Sequence, residues 1–482
     1  MPTRPCCRLA RHRCWRCCGL LLRLEGRGLR QVFTQSLGAW LVARAPGRDS
    51  AGASVRHEQA HLPCLPMSSS STSSRPHAQS MTSQPAAWPA LRSGRILAID
   101  IFRALTVLVM ITVNTWGGVA GLPAWMRHMP ANADAMSFVD AVFPAFLFIV
   151  GMSIPFALQQ RQRLGDSTLQ LQLHVLQRAL GLVLIGVFMV NAEGGFHAAS
   201  MPLPVAAWTL LIYLAAFLVW GSLRGGAPFG RAWRWAGLGL FAGLAWLYRG
   251  GSEGQSGMSP QWWGILGLIG WAYLIGCAVY LLARGRLAGV LLGLLLSVAY
   301  ATLHWLPAVQ ASPGLALVFS QNGHFAHAVL VLSGCATALL FYGAQRDSQR
   351  ARLWRWALIF AAVLALAAAL LRPEFKVSKI LATPSWALYC AAACVLIFAA
   401  LAQWVDGWGR SLWPALLEPV AAHPLLAYLI PFVIGAAMSW GQLGWPSLLR
   451  SGAPGVLAGV AYALLVAGLV KWLAARGVRL RI

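Results

Sequence analysis

Asp100, Arg103, Asn114, His128 and Asp140 stand at the ends of two long apolar runs between Arg95 and Leu158. An ionisable group at the centre of a membrane helix costs about 2.5–3.5 kcal/mol, so a titratable side chain beside such a run is a candidate functional residue. His128 is the one histidine of the polar excursion Pro123–Met136 that separates the runs. A neutral imidazole near pH 7 can take a proton from an amine or hydroxyl, or carry an acyl group covalently. A solitary loop histidine is also an ordinary interfacial or solvated residue, and the residue type alone leaves both readings open. Asn114 has a donor and an acceptor with which to orient an imidazole or polarise a thioester carbonyl; its plainer role is a hydrogen bond between helices. Asp140 begins the second run, where a carboxylate suits the positive helix end and could hold His128 or Lys379. Asp100 and Arg103, three apart, share a helix face and read as a local ion pair, with phosphates of a cytosolic cofactor as a second partner for Arg103.

Lys379 closes a segment, Leu371–Lys379, that carries three basic residues, Arg372, Lys376 and Lys379. The other loops on that side are nearly free of Lys and Arg. Lining a polar site would explain the excess, and so would a short solvated loop with snorkelling side chains.

The elements that must position these residues are membrane helices. The 58% hydrophobic content and 11% charged content describe a multispanning membrane protein rather than the three soluble domains the length alone would suit. About twelve apolar runs (10–12) are long enough to cross a bilayer. They lie near 97–121, 137–158, 174–192, 205–222, 233–249, 262–282, 286–306, 324–343, 353–371, 384–402, 415–438 and 454–474. The expected fold is an all-α polytopic bundle over residues 96–482. The net charge of +25 does not imply nucleic acid, because the arginines fall in the N-terminal tail and in alternate loops. Arg161, Arg163, Arg224, Arg231, Arg234, Arg284, Arg286, Arg346, Arg350 and Arg352 mark the basic loops, and Lys471, Arg476, Arg479 and Arg481 the C-terminus. This alternation places both termini in the cytoplasm and the His128 and Lys379 loops outside.

Residues 1–95 are rich in Arg, Cys, Ser and Pro, and such a composition buries too little apolar area to offset chain entropy. They read as a disordered basic tail or as an upstream extension, with Met67 or Met81 as the start. Cys14-Trp-Arg-Cys17 has the spacing of half a zinc site but no second half, so no metal is expected. A phosphate-binding Gly-Lys-Ser/Thr motif is absent, which disfavours an ATP-driven pump.

The order Asp100-Ile-Phe-Arg103-Ala, Met110-Ile-Thr-Val-Asn114, the His128 loop, then Asp140-Ala-Val-Phe-Pro144 through Gly151-Met-Ser153 resembles a known family. It looks like the opening of the transmembrane acyltransferases of heparan-alpha-glucosaminide N-acetyltransferase and their bacterial relatives. Val190-Asn191 closes the third span in the same manner, and Lys379 through Trp386 is similar to a Lys-x-x-Trp-type segment before a late span. The resemblance is firm over about 97–192 and thin over 370–440. It implies His128 as the catalytic histidine with Asn114 assisting, and Asp140, Lys379, Asp100, Arg103 and Asn191 as supporting groups. It further implies acetyl-CoA as acyl donor, an amino sugar or glycan as acceptor on the outer face, and a bacterial inner membrane as location. Membrane lipids surround such a protein, and a homodimer is compatible with it. Gly323-His324 and His327 lie at the outer mouth of the eighth span and could line the acceptor site, but helix-end histidines are commonplace and that plainer reading is preferred. The other functional class is a transporter or flippase for a sugar or lipid, which the span count suits equally; the two halves show no inverted repeat of the transporter type.

Overall fold

The computed structural model describes residues 96–223, 227–343, 350–408 and 415–482; the tail 1–95 and the loop residues Arg224 and Arg346 lie outside these. The protein is an all-α polytopic membrane protein. In lipid each backbone N–H and C=O must be satisfied within its own segment, which turns apolar runs into helices. Helices stand at all twelve expected positions. They are α1 (Leu97–Trp116), α2 (Phe138–Arg163), α3 (Thr168–Glu193), α4 (Val205–Trp220), α5 (Arg231–Leu247) and α6 (Gly264–Leu282). The second half supplies α7 (Leu287–Leu303), α8 (Asn322–Tyr342), α9 (Arg350–Phe375), α10 (Pro384–Ala402), α11 (Pro424–Trp440) and α12 (Gly452–Ala475). Among the described residues eight helices are long and apolar enough to cross a membrane, and α4, α7 and α11 are shorter apolar helices.

Three boundaries differ from the sequence reading. α3 begins at Thr168, six residues before the apolar run, because Ser167 caps it: its side chain accepts from the Gln170 N–H while its own N–H donates to Gln170 Oε1. The run 415–438 is broken at His423, so a short helix Leu417–Ala422 precedes α11. Pro424 has no N–H to continue the first helix and starts the second. α9 continues through Pro373 to Phe375, which makes Arg372 a helical residue. A small antiparallel sheet of β1 (Gly221–Leu223), β2 (Ala227–Pro228) and β3 (Arg479–Leu480), in the order β2-β1-β3, ties the C-terminus to the α4–α5 connection.

The centre of the bundle is the crossing of α2 and α8, the most extensive helix pair. Gly151 sits on the Val331 carbonyl and Gly334 on the Phe148 carbonyl, so a Cβ at either position would collide with backbone. Close backbone approach through small residues is how membrane helices gain packing energy when lipid supplies no hydrophobic drive. At the periphery, α9 packs on α10 and leaves Leu358, Ile359, Val363, Leu366 and Leu370 exposed, a lipid-facing stripe. α1, α2 and α3 alternate in direction, so the α1–α2 connection with His128 and the C-terminus of α3 share one end of the bundle. The 441–451 connection joins that end, where Ala120 pairs with Ser451.

Candidate active site

Asp140 is the third residue of α2, and its carboxylate collects donors from both sides of the helix start. Oδ2 accepts from the backbone N–H groups of Ser137 (3.0 Å) and Met129 (3.2 Å) and from Ser137 Oγ. Oδ1 meets His128 Nδ1 at 2.6 Å. The side chain of Asp140 is 2% exposed and that of His128 49%. An ionised carboxylate only accepts, so Nδ1 carries the proton in this contact and the Nε2 lone pair is left over. The geometry is that of a base whose tautomer and orientation are held by a buried acid.

Lys379, 251 residues further on, places Nζ 3.3 Å from His128 Nδ1 and 3.4 Å from Nε2. Near-equal distances put the ammonium beside the ring rather than along one lone pair. Burial pushes the Lys379 amine below the ordinary lysine value, and the Asp140 charge partly opposes this.

Two loops are knitted together to achieve this meeting. Asp134 accepts from Arg372 Nε (3.0 Å) and from the Val377 N–H (2.8 Å). Ala135 N–H donates to the Val377 carbonyl, and Ser378 Oγ donates to the Ala131 carbonyl at 2.9 Å. Burial raises the Asp134 carboxyl, but the Arg372 guanidinium and the Val377 N–H outweigh it and hold the group below the usual carboxylate range. Lys376 and Ala382 take the left-handed conformation, φ +53° and +49°, at the turns that present Lys379. Ser385 Oγ donates to the Lys376 carbonyl and steadies the first of them. Two of the three basic residues of this segment thereby have a place: Arg372 pairs with Asp134 and Lys379 stands at the histidine.

Behind the cluster, Trp386 Nε1 donates to the Asp140 carbonyl at 3.3 Å. His327 is buried between Phe143 and Trp386, with ring centroids 5.5 Å and 5.8 Å away, and its Nδ1 donates to the Gly323 carbonyl. His324 is buried against Trp263 and Trp271. Both histidines pack against aromatic rings.

The remaining expected residues fall elsewhere. Asn114 lies at the same end as His128, but it is exposed and makes no side-chain hydrogen bond among the described contacts. Asp100 and Arg103 lie about 16–21 Å below Asn114 along α1 at 1.5 Å per residue. Arg103 there bonds Asp100 (2.7 Å) and Ser153 Oγ (2.8 Å), the local ion pair that their spacing predicts. Asn191 is buried and joins α3 to the α5–α6 connection. Its amide donates to the carbonyls of Val187 and Ser259, and its oxygen accepts from Gln261. Its contacts therefore hold a connection and do not reach His128. The sequence reading passed over Asp134 and took Trp386 only as part of a resemblance. A lone acid in one outer loop opposite an over-basic one was the available signal for Asp134.

A donor set for a metal is absent among the described residues, where groups of three or more His, Cys, Asp or Glu do not occur within ligating reach of one another. The four described cysteines, Cys277, Cys335, Cys390 and Cys394, are free and buried.

Residues 95–232 match the family model described as "Domain of unknown function (DUF5009)". Heparan-alpha-glucosaminide N-acetyltransferase of Mus musculus is 33% identical over 99 residues, 20% of this chain and 14% of that protein. The Homo sapiens protein of the same name is 31% identical over 109 residues, 22% of this chain and 16% of that protein. The matched segments thus cover about a sixth or less of those relatives' lengths. The part of the chain that carries His128 and Asp140 is the part that the family model matches, and over about a fifth of its length the chain is similar to heparan-alpha-glucosaminide N-acetyltransferase.

Proposed function

We propose that this protein is an integral membrane acyltransferase that moves an acetyl group from acetyl-CoA to an amino sugar or glycan, with His128 Nε2 as the working atom. The observation that carries this reading is the 2.6 Å contact of His128 with the buried, fully engaged Asp140, which leaves the Nε2 lone pair unprotonated at a half-exposed ring, with Lys379 Nζ 3.4 Å away. The relatives' names supply the class of donor and acceptor.

In the transfer, the acceptor nitrogen bonds to the acyl carbon as the thioester C–S bond breaks. Nε2 takes the proton from that nitrogen and returns it to the departing thiolate of coenzyme A. If an acyl-imidazole forms first, Nε2 bonds to the acyl carbon as the C–S bond breaks and coenzyme A leaves as thiolate; the acceptor amine then bonds to that carbon as the C–Nε2 bond breaks, and the freed Nε2 takes the amine proton. Asp140 holds the ring and balances the imidazolium. The Lys379 ammonium stands where it can meet negative charge developing on the carbonyl oxygen. The alternation of basic loops supports cytoplasmic termini and an outer His128 loop, an orientation that suits a cytosolic donor and an outer acceptor; the resemblance to the bacterial relatives is what suggests a bacterial inner membrane. Asn114, exposed at the same end, is the polar residue that assists His128, and Asp100 and Arg103 stand at the cytosolic end.

Purified protein in lipid nanodiscs, given acetyl-CoA labelled in the acetyl group and glucosamine, tests this. His128→Ala should cut transfer by about 10²–10⁴-fold, the usual cost of losing a general base, with its melting temperature unchanged. Full transfer by that variant overturns the role of His128. Wild-type protein in vesicles that moves a sugar across the membrane without consuming acetyl-CoA establishes the transporter reading instead.

A further inference from the structure

A cavity of about 410 Å³ opens between α3, α4 and α11 at the same end of the bundle as His128, and it shares no residue with the His128 cluster. Its volume falls in the range of small-molecule sites, and its make-up has the same character: a largely apolar wall with a few polar groups. Met189, Phe196, Pro431 and Phe432 supply apolar surface, and Glu193, Thr209, Tyr213 and Ser439 the polar groups. Thr209 Oγ1 donates to the Val205 carbonyl at 2.7 Å, so only its lone pairs face a ligand.

Glu193 decides the chemistry. It is the last residue of α3, where the helix dipole is negative and a second negative charge is disfavoured. Among the described residues it has no ion-pair partner. The Tyr213 and Tyr428 hydroxyls lie within electrostatic reach of this carboxylate, and neither carries a positive charge to balance it. A carboxylate on an apolar, aromatic-walled cavity is complementary to an ammonium group on a hydrocarbon body, because the rings of Phe196, Tyr213 and Phe432 favour a cation as well.

We propose that this cavity is a second ligand site, which takes an amphiphile bearing a protonated amino group, its ammonium against Glu193 and its hydrocarbon part against Phe432 and Met189. The amine can come from a free alkylamine or from the headgroup of an aminophospholipid. The site stands independently of the acyl-transfer reading, and its test reads binding alone.

The full chain in phosphatidylcholine nanodiscs is titrated with octylamine and with octanol, followed by calorimetry. Wild-type protein should bind octylamine at least tenfold more tightly than octanol, and Glu193→Gln should bring the two to the same affinity. Ala206→Phe, which fills the cavity, should abolish saturable binding of both. Equal octylamine affinity in wild type and Glu193→Gln overturns the proposal, and so does saturable binding that survives Ala206→Phe. If Ala206→Phe fails to fold, the Glu193→Gln comparison decides alone. Repeating the octylamine titration in phosphatidylethanolamine nanodiscs separates the sources. A weakened apparent affinity identifies the lipid headgroup as a competing occupant, and an unchanged one assigns the site to free amines.

Discussion

The Trp386 indole donates to the carbonyl of Asp140, a bond that exists because Pro144 sits four residues further along α2. In an unbroken helix that carbonyl would accept from the N–H of residue 144, and proline has none. The vacant acceptor lets α10 dock on the residue whose side chain holds His128. Phe143 packs against His327, so Asp140, Phe143 and Pro144 each have a physical task within one five-residue stretch.

Trp386→Phe is therefore expected to fold, since the ring still fills its place against His327. It should lose about 0.5–1.5 kcal/mol of stability with the bond, read as a lower melting temperature in detergent. Acetyl transfer should drop severalfold through looser placement of Asp140. A variant as stable and as active as wild type would show that the indole bond positions nothing.

Asp140→Asn keeps the shape of the side chain but removes the charge that opposes an imidazolium, and with its one oxygen held by the Met129 and Ser137 donors it turns an N–H donor toward Nδ1. Transfer should fall by about 10²–10⁴-fold, comparable to losing the base itself, while His128→Ala combined with Asp140→Asn should be scarcely worse than either alone. Strictly additive losses would separate the two residues functionally.

Lys379 gives a pH dependence of known sign. Its folded amine lies below the ordinary lysine value because burial disfavours the charge. In the window between its folded value and about 10.4 the unfolded chain binds more protons, so stability rises with pH there. The melting temperature of wild type should climb across that alkaline window relative to Lys379→Met, which lacks the titrating group. A constant difference between the two proteins would contradict this placement of the amine.

Sidedness is open to direct labelling. Asn132 and Ile380 lie in the two knitted loops, and the described native cysteines are buried. Single cysteines at these positions should react with an impermeant thiol reagent in intact cells. Protection of both until lysis would place the His128 cluster on the cytosolic side.

Much of this molecule was legible in the chain itself. The apolar runs became helices at all twelve positions, the run 415–438 as two helices, because lipid leaves a backbone no other way to satisfy its polar groups. The scarcity of charge beside those runs drew attention to His128 and Asp140, the basic excess of Leu371–Lys379 to Lys379, and the Asp100–Arg103 spacing foretold their pairing. What the tertiary structure alone decided is which of them meet. Nothing local to His128 specifies that a lysine 251 residues away stands 3.3 Å from its ring. That depends on Asp134 catching Arg372 and Val377 across two loops, and on Pro144 freeing a carbonyl for Trp386. Asn191 shows the converse: it has the chemistry a site needs, yet it is consumed in holding a connection. Residue type sets what a side chain can do, whereas the crossing of helices far apart in sequence sets what it touches.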